Sequence, residues 1–259
     1  FKRILIVSDL EAEAADGFDN RIRGFLDVLG AEPEWKSLRN SDFSSVESLL
    51  EAVKEAKPDL IVSYRNLRSD AWKWPYTLGE FLDALIQIAE PPVLVVPHPE
   101  AGRASEHALE NTDAVMVMTD HLTSDHRLVN VATRLTDKEG HLFLAHVEDE
   151  QPFERFIEAI SKIDSIDTEP AKEAIKEQLL KEPRDYISSC VQVLKDHQLS
   201  ISVESHVGMG HHLSEYRLLL DEHEVDLLIM NTKDEDRLAM HGIAYPLAVE
   251  LREIPLLLL

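Results

Sequence analysis

Two stretches of this 259-residue chain repeat one pattern, and the repeat constrains the fold more than any other feature. Asp226 opens the apolar run Leu227, Leu228, Ile229, Met230; a polar loop, Gly242, an apolar-faced segment and Pro255 before four leucines follow. Earlier, Asp59 opens Leu60, Ile61, Val62, Ser63, and a loop, Gly79, an apolar-faced segment and Pro92 before Val93–Val96 follow. Glycine and proline are 13 residues apart in both copies (92 − 79 and 255 − 242). A shared spacing of this kind marks two copies of one supersecondary unit. Each copy reads as strand, loop, helix, strand. The unbroken apolar runs suit strands covered on both faces. Phe81, Leu82, Leu85, Ile86 and Ile88 recur at helical spacing, as do Ile243, Leu247, Val249 and Leu251. A helix joining two buried strands is a crossover connection, so both sheets are predicted parallel.

The copies also begin alike. Arg3–Ser8 is an apolar run closed by Asp9, and Val115–Thr119 is closed by Asp120. From these acids to the later repeat the distance is 50 residues in the first copy (59 − 9) and 106 in the second (226 − 120). The first copy is thus shorter by about a strand and a long helical stretch. Its helices are expected over Phe18–Leu29, ended by Gly30, and after a cap at Asp42 or Ser41, with Pro58 blocking continuation. A weak strand is expected over 33–38. Trp72, Trp74 and Tyr76 in the following loop could form a binding surface, but the preferred expectation is that they cover an exposed end of the shortened unit. The second copy is expected to hold strands at 114–119, 141–147, 200–207, 226–230 and 255–259. Its long amphipathic stretch from Thr168 to His197 should break at Pro183. The domain reading is 1–97, a linker at 98–113, and 114–259.

On these residues the chain resembles the universal stress proteins in their tandem two-domain form. The carrying residues are the strands ending at Asp9 and Asp120, the runs Asp59–Ser63 and Asp226–Met230, the closing runs Pro92–Val96 and Pro255–Leu259, and Val203–Gly208. The resemblance implies an α/β fold: two tandem Rossmann-like (adenine nucleotide alpha hydrolase-like) domains with parallel sheets, joined through their last strands as an intramolecular pseudo-dimer. It also implies a crevice at the strand ends, lined by Asp120, His121, His146, Gly208 and Asn231 in the second domain and by Ser8, Asp9 and Tyr64 in the first.

Nucleotide-binding members carry Gly-x-x-Gly, nine residues, then Gly with Ser or Thr. The glycines let backbone N–H groups approach phosphates closely. Here Asn231 and Asp234, or Tyr64 and Leu67, take the leading glycine positions. Gly242 and Gly79 are kept, but Ile243 and Glu80 replace the hydroxyl residue. Asp234, Glu235 and Asp236 further place carboxylates where phosphates would lie. Like charges about 4 Å apart repel by about 4 kcal/mol at an effective dielectric near 20. Both ATP sites therefore read as degenerate, with Asp9, Gly79, Asp120, Gly208, Asn231 and Gly242 as what remains of them. The alternative is an ATP- or AMP-binding regulator whose crevice tolerates the altered loop.

With 49 acidic and 26 basic residues the formal charge is −23, which disfavours nucleic acid and anionic membranes as partners. One cysteine, Cys190, allows no internal disulfide and suits a reducing cytoplasm. No window approaches the roughly 20 apolar residues of a membrane helix, and Phe1–Arg3 runs straight into a strand, so no signal peptide is expected. Histidine is the remaining signal. His206, His211, His212 and His241 fall near the expected rim, and with Glu215 one turn beyond His211 they could share a zinc ion, or they could be ordinary surface histidines. No nucleophile elbow, paired carboxylates or phosphate loop with lysine is present, so the expectation is binding rather than catalysis. An enzyme built on the histidines is the further alternative. The partners expected are a protein or a small ligand, with a homodimer open to it, and the second domain's crevice is the expected binding place.

Overall fold

The computed structural model describes the chain apart from residues 75, 103, 106, 119–125, 198 and 233–243. The described residues form one nine-stranded sheet in the order β2-β1-β3-β4-β9-β8-β5-β6-β7. The first half contributes β1 (Arg3–Val7), β2 (Glu34–Leu38), β3 (Leu60–Tyr64) and β4 (Val93–Val96), joined by α1 (Ala12–Phe25), α2 (Val46–Ala56) and α3 (Glu80–Ile88). The second contributes β5 (Ala114–Met118), β6 (His141–Asp149), β7 (Ser202–Gly210), β8 (Leu227–Met230) and β9 (Leu256–Leu258). Its helices are α4 (His126–Leu135), α5 (Glu150–Ile160), α6 (Thr168–Asp196), α7 (His212–Glu222) and α8 (Ala244–Glu250). All pairings within each half are parallel. In both halves the first strand lies inside the sheet, and the strand order reverses beside it.

The halves meet where their closing strands pair antiparallel, Val93 opposite Leu258 and Val95 opposite Leu256. This is the expected pseudo-dimer seam. Every side chain of β4 and β9 is buried, and burying a Val or Leu fully is worth about 1.5–3 kcal/mol. Side-chain burial therefore holds the seam as firmly as its few ladder bonds. The difference in length between the halves is α5, α6 and β7, which have no counterparts in the first.

The aspartates that open the repeated runs act alike. Asp59 accepts the Lys2 and Arg3 N–H groups (2.7 and 3.0 Å), and Asp226 accepts the Ala114 N–H at 2.8 Å. Each carboxylate ties the strand after it to the start of the half's first strand, fixing register where a one-residue slip would turn the buried face outward.

Three local expectations are corrected. Helix α2 is capped by Ser45, not by Asp42 or Ser41. Ser45 and Ser48 form a reciprocal capping box, whereas Asp42 accepts the Arg39 N–H and closes a turn. Helix α6 runs unbroken through Pro183, which is buried with Leu180, Ile187 and Leu194; packing of this stripe offsets the one backbone hydrogen bond proline removes. Of the loop aromatics only Trp72 covers the first half's end, because Trp74 and Tyr76 are 63% and 79% exposed.

Candidate functional site: the crevice of the first half

At the carboxyl ends of β1, β3 and β4 the first half builds a crevice of about 440 Å³ lined by Asp9, Arg68, Asp70, Trp72, His98 and Glu100. The sequence sets it up in steps. Strand β3 ends on Tyr64, which is wholly buried. Its ring packs edge-on against Phe18 of α1 and against His98 just past β4 (centroids 5.3 and 4.9 Å). His98 in turn stacks on Trp72 at 4.8 Å, and the Lys73 ammonium lies 5.3 Å from the Trp72 ring. The result is an aromatic wall where an open crevice was expected.

The Asp9 carboxylate is already engaged from within the chain. The Tyr64 hydroxyl donates to Oδ1, and the Arg68 N–H donates to Oδ2 at 2.6 Å. The Asp9 N–H donates back to the Tyr64 oxygen at 3.1 Å. Arg68 is held by its guanidinium, which donates to the Asn40 and Phe43 carbonyls. Burial pushes the Tyr64 phenol up, and its bond to Asp9 adds to this. Burial pushes His98 down to about 4, outweighing the opposing pull of Asp9, so at neutral pH its ring is uncharged. A neutral His98 is a poor general acid near pH 7. Stacked on Trp72, its ring makes part of a planar wall.

Gly79, the phosphate-side glycine of the pattern, has a different task here. Its φ is +90°, and a Cβ placed on it would lie 2.7 Å from the Asn66 Cα. Glycine is needed because the chain crosses itself there, with the Asn66 N–H donating to the Leu78 carbonyl at 2.8 Å. Glu80 and Asp83 then place carboxylates in the first turn of α3.

Next to Tyr64, Arg65 points the other way and is buried in the second half. Its Nε and Nη2 donate to the Ala248 carbonyl (3.0 and 2.7 Å) and Nη2 to the Leu251 carbonyl (2.7 Å). It thus caps the carboxyl end of α8 with a cation, the sign that end favours. Burial lowers its pKa to about 9, with Arg252 adding to the effect.

In the second half, Asp120, His121, His241, Gly242, Ile243 and Asp234–Asp236 lie outside the described residues, so the lips of that crevice do too. Of the residues expected to line that crevice, His146 is described and is buried, its Nε2 3.3 Å from Glu148 Oε2. Asn231 follows β8, and Gly208 lies in β7 opposite Val147. His206 lies beside Gly208, its Nε2 3.3 Å from where a Cβ would be. His211 precedes α7 and is exposed. Glu215 packs against Gly210, and His212 rather than His211 turns inward, its Nε2 2.7 Å from the Val147 oxygen. Among the described residues no three of His, Cys, Asp and Glu converge on a position where one metal ion could be held. Sequence reasoning missed Arg65, Arg68 and His98. A cation or imidazole just past a buried strand carries no periodic signal, although His98 shares with Asp9 its place just past a strand's carboxyl end.

No protein-family model and no curated protein matches the chain. Among solved structures, a universal stress protein from Archaeoglobus fulgidus is similar over 99% of this chain and 97% of its own, with 12% identity and a TM-score of 0.57. A functionally unknown protein from Pseudomonas aeruginosa is similar over 99% of this chain and 81% of its own, with 11% identity and a TM-score of 0.48. No helix among the described residues is long and apolar enough to cross a membrane. With its parallel half-sheets joined antiparallel at their closing strands, the chain has the fold of the universal stress proteins.

Proposed function

We propose that this protein is a universal stress protein-like, cytoplasmic stress-response protein that acts by binding rather than catalysis, with degenerate nucleotide sites. The observation that carries the reading is the state of Asp9. In the nucleotide-binding proteins the chain resembles, that position faces the adenine and ribose. Here its carboxylate is taken by the Tyr64 hydroxyl and the Arg68 N–H, and the Tyr64 ring fills the adjoining space. A nucleotide would have to displace bonds the folded chain already satisfies, and would then meet Glu80 near the phosphate side. In the second half the reading rests on Asn231, Asp234 and Ile243 in place of the two glycines and the hydroxyl residue.

Calorimetry with ATP, AMP and zinc tests it. Neither nucleotide should bind more tightly than about 1 mM, equivalent to about −4 kcal/mol. A micromolar constant for either, or a nucleotide retained through purification, overturns the reading in favour of an ATP- or AMP-binding regulator. A stoichiometric zinc response that is lost in His206→Ala/His211→Ala would instead favour the histidine site.

A further inference from the structure

The first half carries a second cavity, on the opposite rim of the sheet from its crevice. About 610 Å³ opens at the amino ends of β1, β3 and β4, between α2 and α3. Its apolar surface includes Leu50 and Ile88, the latter 63% exposed. Around it stand Arg3, Lys54 and Lys57, against one lining acid, Glu90. In a chain with 49 acidic and 26 basic residues, a greasy groove ringed by three cations is a local inversion of charge. None of the three cations takes part in an ion pair among the described residues.

The second half carries the complement. Residues 150–167 leave β6 as α5 and a short turn. Phe156 in α5 (56% exposed) and Ile163 (47%) and Ile166 (40%) in the turn after it stay in solvent. Around them lie Glu158, Asp164 and Asp167, none of which is ion-paired among the described residues; of the neighbouring acids, Glu154 is held by Lys172 at 2.8 Å. The segment 150–167 holds five acids against two cations, Arg155 and Lys162, and exposed Phe and Ile side chains set among charges mark a contact surface.

The topology puts both features on the same rim. Because β4 and β9 are antiparallel, the amino ends of the first half's strands and the carboxyl ends of the second half's strands point the same way. From β3 to β6 the sheet order has five steps, or about 24 Å at about 4.8 Å each. A twofold axis at this rim, passing midway between the two features, would bring one copy's groove onto the other copy's acidic segment, and would do so twice. Such a contact is self-complementary and closed.

We infer that two copies of this chain associate rim to rim, each groove (Arg3, Lys54, Lys57, Leu50, Ile88) taking the other's acidic apolar segment around Phe156, Glu158, Ile163 and Asp164. Charge complementarity sets the orientation and the apolar side chains supply the burial. The seam between β4 and β9 is already filled within one chain and takes no part.

Sedimentation velocity at about 100 μM protein and about 50 mM salt, where screening is weak, tests this. The 29.4 kDa chain should sediment as a dimer that weakens as salt is raised. Lys54→Glu/Lys57→Glu should weaken it at least about tenfold, as should Glu158→Lys/Asp164→Lys. These are exposed positions, and an unchanged melting curve verifies that each variant is folded. Mixing the two variants should restore the dimer, because both contacts in the mixed pair are again between opposite charges. A chain that stays monomeric under these conditions overturns the inference. So does a dimer that both charge reversals leave unchanged, or two monomeric variants that stay apart on mixing. A monomeric chain that nonetheless binds a synthetic peptide of residues 150–167 would overturn the second copy as occupant and point to an acidic helix of another protein.

Discussion

Tyr64 and Asn231 hold the same place in the repeat, Tyr64 as the last residue of β3 and Asn231 directly after β8, each strand opened by an aspartate, yet their surroundings differ. In the first half, Tyr64 is buried beneath the crevice, bonded to Asp9, and the next residue, Arg65, reaches into the other half to cap α8. In the second, Thr232 follows Asn231, and its hydroxyl and N–H both turn to the Leu259 carbonyl close by (2.9 and 3.0 Å). The strand-opening aspartates do the same work in both copies, whereas the strand-closing residues have diverged. Residues that set register are held by the sheet, and residues at the carboxyl ends are left for local use.

The largest test of this contrast compares Arg65→Leu with Thr232→Ala. Arg65→Leu strands two helix-end carbonyls in a buried place and should cost about 3 kcal/mol, whereas Thr232→Ala removes one neutral hydrogen bond and should cost about 1 kcal/mol. Urea unfolding measures both, and equal losses would mean the two strand ends are energetically alike. A smaller difference is expected between glycines. Gly79→Ala meets the Asn66 backbone at a positive φ and should cost about 2 kcal/mol. Gly208→Ala meets only the His206 ring and should stay within about 0.5 kcal/mol, as thermal melts would reveal.

The smallest effect concerns the aspartates that otherwise match. Burial raises Asp226 to about 6, against the lowering effect of its bond to the Ala114 N–H. Its folded-state value lies above the unfolded one, so its contribution to stability is complete below about pH 4 and is lost as pH rises through about 6. Asp226→Asn keeps an acceptor for the Ala114 N–H but cannot titrate. Relative to wild type, this variant should therefore gain stability between pH 4 and 6.5, by about 1–2 kcal/mol. A flat difference across that range would remove Asp226 as the titrating group.

The parallel half-sheets, the missing third strand of the first half and the seam at Val93–Val96 were legible in the sequence, because each rests on unbroken apolar runs whose burial admits one reading. The site was less legible. Gly79 stood out as a phosphate glycine, but the same φ and close approach serve a chain crossing at Asn66, and a single glycine cannot tell phosphate oxygen from backbone. Trp72 and Trp74 looked equivalent in sequence, yet His98, 26 residues beyond Trp72, selects one of them. Pro183 was read as a break because propensity weighs the lost hydrogen bond and cannot see the buried stripe from Leu180 to Leu194. The capping box at Ser45 escaped because serine stands where Glu or Gln usually closes it.

The seam also orders events in time. Strands β1 and β3 pair residues 56 positions apart (Ile4 with Leu60), whereas β4 and β9 pair residues 165 apart (Val93 with Leu258). Closing the longer loop costs about 1 kcal/mol more in chain entropy, and it gains little until both half-sheets exist to be joined. Each half should therefore collapse first on its own local pairings, and the seam should close last. Until then β4 presents four apolar residues along an open edge, a template on which a neighbouring chain could add a strand. The step most exposed to misassembly in this protein is thus the joining of two finished halves, and the rate of that joining sets how long the edge stays open.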